Sequence, residues 1–312
     1  MILANFTTRQ KGVAALVGLT LGFAFLALTY RYLSSYYTAY QQLYSCFFIA
    51  FIISFFIFPQ TLSWQKLKQI SARDWAIMIV RALVYYVLAI NLYREALTLT
   101  KIGNVTVMQA VPFTALFGML FFKEKVTLAK AGLLIFAFIG VLMVVVKDVS
   151  FSVFGRGEVL ALIAAILFAF GYMFRKWQTT YLGDTEITQI ILGLSTVFLI
   201  VSALFFDGGL QGFTVAFWPV VILFVTALLY VVDIFFINYG FNNVPVITAN
   251  NILNLELVFA LALAFIFYRE IPTLLELGGC VIIVTSAIAL SMVNHTNIVG
   301  SSGGDENVQL FK

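Results

Sequence analysis

The chain has one histidine, His295, and only two cysteines, Cys46 and Cys280, each alone in its stretch of sequence. No Cys/His cluster can hold a metal, and no histidine stands beside a nucleophile to activate it. No glycine-rich loop reads as a phosphate cradle, so neither a cofactor nor a bound nucleotide is expected. Charged residues are scarce at 10%, where a soluble domain carries about 25%. With 62% hydrophobic residues, the chain has too little polar surface to cover a globule in water. These absences disfavour an enzyme, and with no extended extramembrane domain they exclude ATP-driven transport by this chain alone.

What is present is apolar and long. Mean hydropathy is +1.03, and ten runs reach the roughly 20 residues that a membrane-spanning helix needs. They lie at approximately 12–30, 36–58, 75–98, 102–122, 127–147, 156–176, 186–206, 216–239, 245–268 and 273–294. A transmembrane β-barrel would show alternating segments of about ten residues; these runs are continuous. The expected class is an all-α integral membrane protein with ten transmembrane helices. Residues 1–11 read as a polar N-terminal head, and 297–312, with Gly300-Ser301-Ser302-Gly303-Gly304, as a disordered tail. The first run is read as a retained helix rather than a cleaved signal, because Lys11-Gly12 and Phe23-Ala24-Phe25 recur as Arg156-Gly157 and Phe168-Ala169-Phe170.

Two short turns organise the rest. Phe122-Lys123-Glu124-Lys125-Val126-Thr127 and Tyr268-Arg269-Glu270-Ile271-Pro272-Thr273 each join two apolar runs around a glutamate, with Gly132 and Gly278 eight residues on. A shift of 146 residues superposes them, and lays Tyr93 on Tyr239, Asn104 on Asn250 and Phe113 on Phe259. The chain therefore reads as two copies of one unit, 12–147 and 156–294. Five helices per copy is an odd number, so the copies must be inverted relative to each other, the usual build of secondary transporters. With the N-terminus inside, the inner segments carry eleven Lys and Arg and the outer ones six, Arg81 set aside. The positive-inside rule then places both termini in the cytoplasm; the plasma (inner) membrane is the expected location.

Ten helices as five plus five inverted, the Glu124 and Glu270 turns with their downstream glycines, Arg81-Ala82-Leu83 early in the third run and Pro112 in the fourth resemble the drug/metabolite transporter superfamily, EamA type. The resemblance covers roughly 12–294. It implies a small-molecule carrier whose central cavity is lined by helices 1, 3, 4, 6, 8 and 9, with 5 and 10 peripheral. The second copy departs from the first at Val258, which stands where Pro112 would fall, so helix 9 is expected to bend less than helix 4.

Ionisable side chains in hydrocarbon cost about 2.5–3.5 kcal/mol each, so those that persist are functional candidates. Three lie clearly within the helices, away from their ends: Arg81, Asp233 and Glu256. Arg81 and Asp233 fall roughly 9 Å and 10 Å from the same membrane face at 1.5 Å per residue. Opposite charges at one depth predict an ion pair in at least one state, as a gate or cavity floor. The alternative has Arg81 snorkelling to the headgroups and Asp233 protonated between helices. Arg81, Tyr85, Leu88 and Leu92 share one helix face, as do Thr226, Tyr230, Asp233 and Ile237. The tyrosines line a cavity or pack between helices.

Glu256 lies near the midplane and is either a proton-coupling acid or a structural hydrogen-bond partner. Asn250, Asn251 and Asn254 form a second polar patch on the same helix. On a continuous helix, Asn250 and Asn254 face nearly away from Glu256. Since Asn250 pairs by repeat with Asn104, the asparagine face is assigned to the cavity, with Gln109 alongside Asn104; helix–helix bonding is the competing reading. Pro112 removes a backbone donor and is assigned as a hinge. Glu124 and Glu270 are read as structural, favouring the positive ends of helices 5 and 10.

These residues point to a secondary transporter that moves a small polar or amphipathic metabolite by alternating access, proton-coupled or by exchange. Two acids against one arginine favour a cation or zwitterion: an amino acid, an adenosyl metabolite or an organic cation. A multidrug or organic-cation exporter is the alternative, and a channel the third reading. The expected partners are the solute, the lipid bilayer and protons; nucleic acid is not among them. Both a monomer and a homodimer fit.

Overall fold

A computed structural model describes residues 7–59, 64–100, 102–124, 126–145, 155–178, 181–207, 209–210, 216–269 and 271–302. Lys101, Lys125, Lys147, Glu270 and the tail from 303 onward, all used in the sequence reading, lie outside the described residues. The described residues form ten helices long and apolar enough to cross a membrane. They are α1 (Thr8–Leu33), α2 (Ala39–Ile57), α3 (Ala72–Leu99), α4 (Ile102–Ala110 and Phe113–Phe122) and α5 (Leu128–Val145). The second half holds α6 (Arg156–Trp177), α7 (Asp184–Phe206), α8 (Phe217–Asn243), α9 (Val246–Leu253 and Leu255–Tyr268) and α10 (Leu274–Ser302). In lipid every backbone group must be satisfied within the segment, which leaves these runs no alternative to helix.

Local chemistry moves several boundaries. Thr7 caps α1 by accepting the Gln10 N–H, and Gln10 reciprocates on the Thr7 N–H. Residues 8–11, read as a polar head, are therefore the first turn of a helix. Thr38 and Gln41 repeat the device at α2. α10 continues to Ser302, so 297–302, read as tail, extend the helix. A short helix, Trp64–Gln69, precedes α3 and is tied down by Lys66 to Glu186 at 2.5 Å and by Tyr181 to Gln69 at 2.5 Å.

Packing shows the inversion directly. Exchanging the halves pairs α1 with α6, α2 with α7, α3 with α8, α4 with α9 and α5 with α10. The most extensive contacts have exchanged mates: α1 packs on α8 as α6 packs on α3, and α1 on α9 as α6 on α4, whereas the α7·α8 contact has no comparable α2·α3 mate. α2 meets α8 as α7 meets α3, while the α2·α7, α4·α9 and α5·α10 contacts map onto themselves. Lys123 and Arg269, 146 residues apart, both take left-handed backbone (φ 52° and 55°) to end α4 and α9. That αL ending satisfies the last carbonyls of each helix.

α5 and α10 form a wall at one side of the bundle. A Cβ on Gly279 would lie 2.6 Å from the Gly140 carbonyl oxygen, so the backbones touch. Small residues at such crossings are how membrane helices gain close packing without a hydrophobic drive. Gly132 and Gly278, singled out by the repeat, do not make this contact: Gly132 faces open space and Gly278 meets the Met143 side chain.

Candidate functional site

α3 is not a uniform helix. From Ala82 to Ala89 its backbone opens into a π-helix with i→i+5 bonding, a form concentrated at functional sites. The wider turn brings residues five apart onto one side, so Tyr86 as well as Tyr85 faces inward beyond Arg81; both tyrosines are buried. The 3.6-residue face drawn from the sequence fails here: Leu88, assigned to it, is 50% exposed. On the uninterrupted α8, Thr226, Tyr230, Asp233 and Ile237 are all buried.

Arg81 is 1% exposed and does not reach outward. Its Nη1 donates to Asn238 Oδ1 at 2.7 Å and Gln178 Oε1 at 3.3 Å, while its Nε has no partner. Asn238 in turn donates to Thr188 Oγ1 at 2.9 Å. The expected ion pair with Asp233 is not made in this structure. Helix direction supplies the reason. α3 and α8 run oppositely, and side chains lean toward their own N-terminus, so Arg81 leans toward the end of the bundle where α1 begins and Asp233 leans away. The α8 helix also continues to Asn243, four residues past the run read from the sequence, which places Asn238 rather than Asp233 within reach of Arg81.

Asp233 is 2% exposed, and neither carboxylate oxygen has a hydrogen-bond partner. It packs on α1 so tightly that a Cβ on Gly22 would stand 2.0 Å from Oδ1. Glu256, on α9, lies within electrostatic range of Asp233, Tyr93 and Tyr172. Asn254 interrupts α9 while keeping right-handed helical dihedrals, and Glu256 follows two residues on, partly exposed and within electrostatic range of Asp233.

Aromatic rings surround the acids. Tyr85 donates to the Tyr172 hydroxyl at 3.2 Å, and Tyr172 stacks on Phe241 with centroids 4.5 Å apart. Phe47 touches Tyr230 (4.4 Å) and Tyr86 (5.3 Å), and Tyr30 meets Tyr230 edge-on. The hydroxyls of Tyr86 and Tyr230 have no hydrogen-bond partner.

The asparagines fall elsewhere. Asn104 donates to Glu158 Oε1 at 2.7 Å and to Thr100 at 3.0 Å, joining α4 to α6 far from Arg81. Gln109 donates to the Ala161 carbonyl at 3.0 Å in the same contact. Asn251 bonds Ser286 at 3.0 Å, and Ser286 donates to the Leu133 carbonyl, tying α9, α10 and α5 together. Asn250 is buried and Asn254 sits at the α9 break. For Asn104, Gln109 and Asn251, helix–helix bonding is the observed role, and Glu256 rather than the asparagine face approaches Asp233. Pro112 interrupts α4, with ψ at 49° and the Val111 N–H bonded only at 3.4 Å to the Met108 carbonyl. Asn254 keeps right-handed helical dihedrals, so α9 is broken more gently.

Glu124 was read as serving helix 5, and here it serves another. Its two carboxylate oxygens accept the N–H groups of Val246 (2.8 Å) and Ile247 (3.1 Å), which open α9. A carboxylate from the first half thus caps a helix of the second. Sequence reasoning also missed Asn238, Gln178, Tyr86, Tyr172 and Glu158. Asn238 carried a signal, being a polar residue in an apolar run five positions from Asp233; the others appear only once α3 and α6 are packed together.

A family profile described as the EamA-like transporter family matches residues 10–146 and again 155–292, nearly the whole chain in two tandem copies. A solved crystal structure 13% identical in sequence superposes with a TM-score of 0.75, covering 91% of this chain and 97% of that one. At such identity it shows the shared fold alone. No curated protein matches. The two tandem matches coincide with the two exchanged sets of five helices, and the chain belongs to the EamA-like transporter family, as a membrane transporter of the drug/metabolite superfamily.

Proposed function

We propose that the protein is a secondary carrier for a small cationic or zwitterionic amphipathic solute, working by alternating access in the plasma (inner) membrane with both termini cytoplasmic. The observation that carries this reading is the buried Asp233, both of whose oxygens are unpartnered, with the partly exposed Glu256 within electrostatic range and tyrosines around them. Buried polar groups without partners are rare and expensive. Two acids inside an aromatic surround suit a solute that brings its own positive charge. Protons are the natural coupling ion, since each carboxyl can exchange a proton for the solute's cation. The break at Pro112 and the gentler one at Asn254 lie on the exchanged helices α4 and α9, where rocking of the halves needs give.

The test is uptake into liposomes that hold the purified full chain, screened over amino acids, nucleoside-like metabolites and organic cations, with and without an imposed pH gradient. A gradient-driven solute whose dependence disappears in Glu256→Gln supports a proton-coupled carrier. Uptake that ignores the gradient and survives that substitution makes it a facilitator or exchanger. Unitary currents in planar bilayers would replace the carrier reading with a channel.

A further inference from the structure

Among the described residues, no acid forms a salt bridge with the buried Arg81. Asn238 and Gln178 offer it neutral amide oxygens on one side, and its Nε is left without a partner. The nearby acids are committed elsewhere: Asp184 pairs with Arg175, and Glu186 with Lys66. A buried charge left uncompensated is strongly destabilising, so its retention asks for an explanation. Toward the other end of the same interior, Asp233 shows the opposite deficit, a buried carboxylate with no donor on either oxygen. Tyr86 lies within electrostatic range of both Arg81 and Asp233, and its hydroxyl has no partner. The opposed directions of α3 and α8 hold the two charges apart rather than letting them neutralise each other.

We propose that Arg81, Tyr86 and Asp233 form a bipolar binding site for a zwitterion whose anionic and cationic ends lie several bonds apart. The anionic end, a carboxylate, meets Arg81 Nε and the Tyr86 hydroxyl; the cationic end meets Asp233. This rests on the carrier reading above and narrows it. Arg81 is anchored at the level of Asn238, and Asp233 lies five residues back along α8, about 7.5 Å away in rise and about 140° in turn at 1.5 Å and 100° per residue. That step exceeds the reach of an α-amino-acid headgroup, whose two charges share one carbon. Phe47 and Tyr230 pack beside the span and would cover an apolar linker. A plain amine leaves Arg81 unmet, and a plain carboxylate leaves Asp233 unmet, each at the cost of an unsatisfied buried group. Arginine's planar fork suits a carboxylate in particular.

Proteoliposomes holding the full chain test this with matched probes: ε-aminocaproate, γ-aminobutyrate, glycine, hexylamine and hexanoate. The expected result is initial uptake of ε-aminocaproate at least tenfold above hexylamine, hexanoate or glycine, with γ-aminobutyrate between. Arg81→Gln should lower the ratio of ε-aminocaproate to hexylamine uptake by tenfold or more. Asn238→Asp, which hands Arg81 a carboxylate where it already bonds, should lower that ratio in a protein at least as heat-stable as wild type. Hexylamine taken up as well as the zwitterion by wild type overturns the proposal and leaves the carrier reading standing, as does an unchanged ratio in Asn238→Asp. A wild type that moves none of these probes, and nothing in the wider screen, overturns both.

Discussion

A shift of 146 residues lays Lys123 on Arg269, each a left-handed residue that ends its helix, and Asn104 on Asn250. The same shift lays Arg81 on Ala227, Asp233 on Val87 and Glu256 on Ala110. Ala227 and Val87 are buried, so the equivalent places in the other half are core positions filled with apolar atoms. Tyr86 falls on Val232, Tyr230 on Val84 and Asn238 on Leu92. The two halves therefore agree where helices begin, end and cross, and disagree wherever the interior is charged. Their backbones differ at the same places: α3 opens into a π-helix through Ala82–Ala89, while its exchanged mate α8 runs unbroken from Phe217 to Asn243. Under the carrier function proposed above, the shared features are the frame that rocks and the unshared ones the place where the solute is recognised.

That division can be broken first on the frame. Gly140→Leu drives a side chain into α10, where even a Cβ would stand 2.9 Å from the Gly279 carbonyl oxygen. Overpacking of this kind costs about 1–3 kcal/mol or more. The expected outcome is the largest of the set: poor recovery of folded protein and a lowered thermal midpoint in detergent, with transport per folded molecule nearly unchanged. A normal midpoint with lost transport would place α5·α10 in the transport machinery instead.

A smaller effect is expected at the junction between halves. Glu124→Gln keeps one acceptor oxygen but gives up the charge that two α9 N–H groups share. Hydrogen bonds to a charged group are worth about 1.5–3 kcal/mol, and a partly buried one that retains an acceptor should lose about 1 kcal/mol. Equilibrium unfolding in mixed micelles measures that loss, and an unchanged curve would remove Glu124 from the frame.

The frame was legible in the sequence because length, hydropathy and the repeat all report on it. Ten runs become ten helices, and the turns around Glu124 and Arg269 are recognisable at their repeat spacing. The interior was legible only in part. Arg81, Tyr85, Tyr230, Asp233 and Glu256 stood out because polar groups in apolar runs are conspicuous. How they face each other did not follow, for three physical reasons. A helical wheel assumes 3.6 residues per turn, and the π-helical stretch of α3 breaks that assumption. Asn254 interrupts α9 two residues before Glu256, where the wheel assumes one continuous helix. The lean of side chains on opposed helices sends Arg81 to Asn238 although its Cα sits near the depth of Asp233. Asn104 looked like a cavity residue through its repeat partner, yet Glu158, from a helix with no such signal, takes it.

The account's central claim is that the charges peculiar to one half carry the solute, and one measurement addresses it directly. Uptake of the best substrate from the screen would be compared, per folded molecule, in Asp233→Asn, Glu256→Gln and substitutions at their repeat mates, Val87→Ala and Ala110→Ser. The expected result is at least tenfold loss at the two acids and less than about twofold change at the mates, because Val87 and Ala110 present no polar side-chain group for the solute to satisfy. Equal losses at acids and mates, or none at the acids, would contradict it.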